Sequence, residues 1–461
     1  MREYLSIEEA SELFLFVVWE RVRLFSLEYN HFLSEDEALL LILELIMSDN
    51  IISGFMSIRI PDDYPSIQDA LNFLSDKVIL TGVDILVSDG EYEISSSITS
   101  KVREGGKLTI RGNETDCSKC IINVDNTNNT DGFLFEGGCG VAWLNGFTII
   151  GQKGFISKGQ WNTNTYSAGI RVVNSSVKLG SQIVIDKMYY GIRAMHGANV
   201  TNKTLAKESG QPGGGIKVSN AGDVAFHAYA ASLLVDSAEA YDTAHDSEGL
   251  GFGFCAEGGG FISCEYAIAN GNAAAGFYAL TNGSVWAHGV SATYNKYGIL
   301  AWGGNIECNS LGDYLTECAN NQIGIYATYK GFIGANRSLC HNNSTGVLSD
   351  NNALIDVTNM KSENNSFDGF KCDISGTING FNMSSIGNGG DGYHCANGSR
   401  MNLTNPVSEN NHGHGYYAKN ISSMFINGIK GTGNGAGLSS PDPESTSSTG
   451  GNSHSFIFDL Y

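Results

Sequence analysis

Asp368, Asp391 and His414 stand 23 residues apart in this chain, each directly before a glycine. If such positions stack on successive coils built from strands, equivalent residues lie about 4.8 Å apart. Two carboxylates at roughly 5 Å suit retaining glycoside hydrolysis, one as acid and one as nucleophile. Their mutual repulsion would raise one pKa, as a general acid requires. A plain row of exposed corner residues with turn roles explains the same spacing. A second group lies between Gly215 and Gly253, where Asp236, Glu239, Asp242, His245, Asp246 and Glu248 crowd together. The long interval predicts a lateral loop, and loops on a rigid scaffold carry functional groups. Within it Asp242, His245, Asp246 and Glu248 are the alternative catalytic set, with cation binding or a solvated loop as the other readings. Tyr278, Tyr326 and Tyr417 complete the candidates, because aromatic faces with a polar tip stack on sugar rings. With Leu300 and Leu348 they could equally line a subunit interface.

These residues are placed by a repeat. Gly276, Gly298, Gly324, Gly346, Gly369, Gly392, Gly415 and Gly437 recur every 22 to 26 residues. A fixed period in that range marks a solenoid, since no repeat can bury its own apolar face. One residue after each glycine comes a large residue (Phe277, Ile299, Ile325, Val347, Phe370, Tyr393, Tyr416), and three after comes a small one (Ala279, Ala301, Ala327, Ser349, Cys372, Cys395, Ala418). The residue between varies freely. This is period-two alternation, two side chains inward and one outward. It predicts an all-β fold, a right-handed parallel β-helix with about 22 or 23 residues per coil. Asn272, Asn295, Asn321, Asn343, Asn365, Asn388, Asn411 and Asn434 precede the glycines by three or four residues. They mark corners that need left-handed backbone, and they can hydrogen-bond from coil to coil.

Fifty-eight glycines and only 16% charged residues fit a turn-dense β protein. A net charge of −21 argues against partners that need a basic surface, so neither nucleic acid binding nor binding to an anionic membrane is expected. Cys372 and Cys395 read as reduced core thiols. Cys117 and Cys120 form a lone C-x-x-C without a second pair, so no metal site and no cofactor are expected.

Capping boxes at Ser6/Glu9 and Ser34/Glu37 predict two helices, roughly 7 to 30 and 35 to 48, in a segment 1–55 for attachment or oligomerisation. Its apolar run is too short for a membrane span and lacks the basic flank of a signal peptide. A third helix, Pro65 to Leu74, opens a region 56–130 and would cap the solenoid, whose coils run over 131–437. Residues 438–461 read as a flexible polar tail ending in an apolar plug.

The stretches YPSIQDALNFLSD, VDILVSDGEYEISSSI, KLTIRGN, GFLFEGGCGVAWLNGFTIIG, AGIRVVNSSVKLG and YYGIRAMHGANV, over residues 61 to 200, resemble the pectate-lyase-like β-helix module of bacteriophage tail spikes and fibres. The resemblance implies a homotrimer in a virion assembled in the host cytoplasm, joined to a tail protein through residues 1–55. It also implies recognition of a host surface polysaccharide and, in many members, its depolymerisation. Cell-surface lyases, hydrolases and epimerases share the pattern, so a bacterial carbohydrate-active enzyme is the alternative, and a structural protein without activity the third. Asn129-Thr130-Asp131-Gly132 and Gly413-His414-Gly415 match two polygalacturonase motifs. They lie some twelve coils apart and cannot form one site.

Overall fold

The computed structural model describes residues 51–52, 54–102, 107–158, 160–161, 166–202, 213–244, 250–420 and 422–437, together with the backbone of 439–440 and 454–457. The predicted helices before residue 50, and most of the predicted tail, lie outside them.

The chain winds into an all-β right-handed parallel solenoid of about 15 turns. Each full coil gives one strand to each of three parallel sheets. A typical coil runs Ser384–Ile386, Tyr393–Cys395 and Arg400–Thr404 before Val407–Glu409 starts the next. We call the sheet with sixteen strands, Met56–Ile60 onward, the first. The second begins at Gly90–Ile94 and the third at Ile98–Ser100.

The inward ladders are as the alternation predicts. Phe226, Phe254 and Phe277 are fully buried and stack nearly parallel at 4.7 and 4.9 Å between centroids. Phe370, Tyr393 and Tyr416 repeat the arrangement at 5.1 and 5.0 Å. Ala279, Ala301 and Ala327 form the small ladder beside them. The repeat glycines serve close approach rather than unusual backbone: a Cβ on Gly298 would lie 2.5 Å from the Gly324 carbonyl oxygen.

The asparagine ladder is real, but its members are not the left-handed residues. Positive φ falls one position earlier, on Tyr294, Asn320, Asn342, Asn364 and Asn410, with glycine at 271, 387 and 433. The ladder side chains turn inward. Asn321 Nδ2 donates to Asn343 Oδ1 at 3.1 Å and to the Ala292 carbonyl at 2.9 Å, and the pattern repeats along the corner. These buried amides satisfy backbone groups that the corner leaves over.

The interval from Gly215 to Gly253 is not one lateral loop. It contains a whole coil, with strands Val224–Tyr229, Ser232–Val235 and Glu239–Tyr241. Ala225 occupies the repeat-glycine position there, paired in register between Gly191 and Gly253, which hides the coil from a glycine count.

The capping helix spans Ile67–Leu74, two residues inside the predicted start, because Ser66 is its N-cap and accepts from Asp69 N–H. Ile67, Ala70, Leu71 and Leu74 face the core, as their spacing predicts. At the other end, His454–Ile457 pairs antiparallel with Ser423–Asn427 and covers the last edge of the first sheet. Among the described residues no helix is long and apolar enough to cross a membrane. All ten cysteines are free, and Cys372 and Cys395 are buried inward neighbours.

Candidate functional site

The corner before the third sheet brings Asp368, Asp391 and His414 together on adjacent coils, and adds a residue that the spacing did not reveal. Asp391 N–H donates to Asp368 Oδ1 at 2.8 Å, and His414 N–H to Asp391 Oδ1 at 2.7 Å. Each carboxylate thus ties down the next coil's corner, which is the turn role. The following strands are in register, so Lys371, His394 and Tyr417 form an outward row beside it. His394 Nδ1 lies 3.0 Å from Asp368 Oδ2 and 3.3 Å from Asp391 Oδ2, bridging both acids. His394 Nε2 is buried and has no hydrogen-bond partner among the described residues. The Tyr417 ring lies parallel to His414 at 4.8 Å and edge-on to His394 at 5.1 Å.

This geometry changes the electrostatics that sequence alone suggested. Burial pushes the Asp368 carboxyl upward, but the hydrogen bond from His394, its charge, the Asp391 N–H and Lys371 outweigh it. The net shift is below the ordinary carboxylate range, so Asp368 is held ionised and is no general acid. Asp368, Asp391 and His394 each offer a ligand atom within 4.8 Å of the others, and could hold a cation where they now share hydrogen bonds.

The other candidates scatter. Asp242 binds Lys158 Nζ at 2.5 Å, while His245, Asp246 and Glu248 lie outside the described residues. Tyr278 is 7% exposed and stacks on Phe252 at 4.6 Å, so its face is already covered. Tyr326 donates its hydroxyl to Asp350 Oδ2 at 3.0 Å. Of the three tyrosines only Tyr417 joins the acid–histidine cluster.

A second constellation on the third sheet went unseen. Arg171, Arg193, His227 and Cys255 are consecutive outward residues in register. Asp131, of the N-T-D-G match, receives Arg171 Nε and Nη2 at 2.9 Å each, a structural ion pair. Tyr190 donates to Asp223 Oδ2 at 3.0 Å, and the Arg193 guanidinium lies 4.1 Å from the Tyr190 ring centre. His227 Nε2 meets Glu257 Oε1 at 2.9 Å. That bond, against the opposing effect of burial and aided by the charges of His227 and Arg193, lowers the Glu257 pKa. The usable signal was A-F-H-A-Y at 225–229, which matches G-F-C-A-E at 253–257 once alanine is admitted for glycine.

No protein-family model matches the chain, and no curated protein matches it either. Among solved structures, the A-module of the Azotobacter vinelandii mannuronan C-5 epimerase AlgE6 aligns over 83% of this chain and 96% of its own, at 13% identity and TM-score 0.45. The catalytic domain of a GH87 α-1,3-glucanase, in complex with tetrasaccharides, aligns over 83% and 66%, at 13% identity and TM-score 0.44. The periplasmic alginate epimerase AlgG aligns over 78% and 74%, at 13% identity and TM-score 0.29. Likeness at this level carries no argument about activity.

Proposed function

We propose that this chain is a carbohydrate-active β-helix protein that moves a proton on a bound glycan through His394. One observation carries the reading: His394 Nδ1 is bridged by two carboxylates while Nε2 is left without a partner. In the neutral ring a carboxylate that accepts from Nδ1 fixes the tautomer and leaves Nε2 as a base. Nε2 is covered by protein in this structure, so the glycan reaches it only after the surrounding side chains move. Asp368 and Asp391 are then positioning residues. Lys371, adjacent in register and 3.7 Å from Asp373 Oδ2, is the cation beside the cluster that a sugar carboxylate would have to share, and Tyr417 supplies a hydroxyl on the other side. Abstraction of a proton next to a uronate carboxylate, ending in elimination or epimerisation, fits this set. Hydrolysis led by Asp368 fits less well, because that carboxyl stays ionised.

Incubation with uronic-acid polysaccharides tests the reading. Elimination creates an unsaturated product that absorbs in the ultraviolet, epimerisation exchanges the abstracted hydrogen with solvent deuterium, and hydrolysis gives reducing ends alone. Reducing ends without either of the first two signals would overturn it. The setting in a phage virion, attachment through residues 1–55, host polysaccharide as the target and the homotrimer rest on the resemblance of residues 61 to 200, and the local chemistry is compatible with a free enzyme as well.

A further inference from the structure

The two acids around His394 use their oxygens for different ends. Asp368 Oδ1 and Asp391 Oδ1 accept backbone N–H groups of the next coil, those of Asp391 and His414. The other oxygen of each carboxylate, Oδ2, is turned to one place, 3.0 and 3.3 Å from His394 Nδ1. Gly390 and Gly413 clear the space for this, since a Cβ at either would run into the Asp368 or the Asp391 carboxylate. Backbone bonds to one oxygen hold the other in position, as outer hydrogen bonds do for the ligands of a metal.

Atoms so held have nearly the separations of a tetrahedral zinc site. Zinc bonds of about 2.0–2.2 Å to nitrogen and carboxylate oxygen place two ligands about 3.3–3.6 Å apart. The two contacts to Nδ1 need open only slightly to match, and all three ligand atoms already lie within 4.8 Å of one another. No separate cavity is required, because the ion takes the place of the shared proton. The side chains of Asp368, Asp391 and His394 are 14%, 13% and 12% exposed, so the cluster is open to solvent.

We propose that Asp368 Oδ2, Asp391 Oδ2 and His394 Nδ1 form a zinc site, completed by water, and that zinc bound there silences the base. Two carboxylates balance the charge of the ion. An imidazole nitrogen among three ligands favours zinc over calcium and magnesium, which take oxygen ligands in larger number. Zinc uses the Nδ1 lone pair, so the Nδ1 proton leaves to water and Nε2 takes one up. The ring stays neutral with its tautomer reversed, and a protonated Nε2 accepts nothing. The silencing rests on the role proposed for His394; the binding does not.

The test is calorimetric titration of the chelator-treated full chain with zinc chloride and with calcium chloride, repeated on Asp368→Asn, Asp391→Asn and His394→Gln. His341→Gln is the control, since that ring is held by Glu317 on the second sheet. Asparagine keeps the oxygen that ties the next coil, and the outward row of Leu348, Lys371, His394 and Tyr417 accepts varied residues, so the fold should survive. The visible bands of four-coordinate cobalt, lost on adding zinc, give a second reading. A single zinc per chain is expected, bound about tenfold or more weakly in each cluster variant, unchanged in His341→Gln, with calcium much weaker. Absence of zinc binding, or equal binding by parent and all three variants, overturns the site. Uronate turnover undiminished with the site filled overturns the silencing. The two ideas fail separately: zinc held by the cluster of a chain that turns over no uronate sinks the His394 reading alone, and turnover by a chain that binds no zinc sinks only this site.

Discussion

Gln68 completes the open edge of the third sheet by pairing with Thr99 as a strand would. Its Oε1 accepts the Thr99 N–H at 2.8 Å and its Nε2 donates to the Thr99 carbonyl at 3.1 Å. One amide side chain on the capping helix thus satisfies both backbone groups of a residue in the first strand, Ile98–Ser100.

Gln68→Ala removes both bonds and leaves that edge to water. Because Thr99 is only part-buried, the expected loss is about 1–2 kcal/mol. Amide exchange at Thr99 should accelerate far more than at Ile325, deep in the rod. Equal acceleration at both positions would mean that the helix supports the whole fold rather than its end.

Asn343 is a stronger test of the corner. Its Nδ2 donates to the Cys318 carbonyl at 2.9 Å and to Asn365 Oδ1 at 3.1 Å, while its Oδ1 accepts from Asn321 N–H at 2.9 Å. Asn343→Ala orphans several buried groups and should cost roughly 2–4 kcal/mol. Asn343→Asp should be worse, since it places a charged acceptor against two acceptors. Chemical denaturation midpoints give the order, and an aspartate milder than alanine would refute the ladder's assigned polarity.

The solenoid was legible because burial imposes a two-residue period that the sequence must obey at Phe277 and Ala279 and again at every coil. The corner acids were legible for the same reason, as Asp368 and Asp391 keep the period. His394 was not, although it keeps the period too, because it sits at the outward position where residue type is free. Its meaning comes from the side chain reaching back to two acids, a direction that spacing does not encode. His227 was missed for a different reason. Ala225 can replace glycine where the neighbouring backbone allows it, and a period counted on glycine skips that coil.

Acid should reveal the Asp368 bond. Its folded pKa is depressed, so its contribution to stability is fully present above the unfolded value of about 4 and is lost as pH falls through the folded value. Asp368→Asn removes this term. Between pH 6 and pH 3 the variant should lose less melting temperature than the parent, and an identical loss would show that the His394 contact is not formed in solution.

Subunit number is a separate expectation. Sedimentation of the purified chain should give a mass near three chains if the resemblance of residues 61 to 200 extends to assembly. A monomer would remove the trimer and weaken the virion setting without touching the chemistry proposed for His394.

That chemistry makes the sharpest prediction. If Nε2 of His394 takes the proton, His394→Ala should lower turnover by two to four orders of magnitude while glycan affinity changes little, since a general base acts on the transition state. Asp368→Asn and Asp391→Asn should each lower it less, because one carboxylate still orients the ring at 3.0 or 3.3 Å. The double variant should approach His394→Ala. This graded order separates positioning acids from a catalytic pair: two carboxylates acting as acid and nucleophile would each be lost almost completely on single substitution, with His394→Ala the milder change. The pH profile adds an independent reading, as the limb set by the base should vanish in His394→Ala and persist in Asp391→Asn.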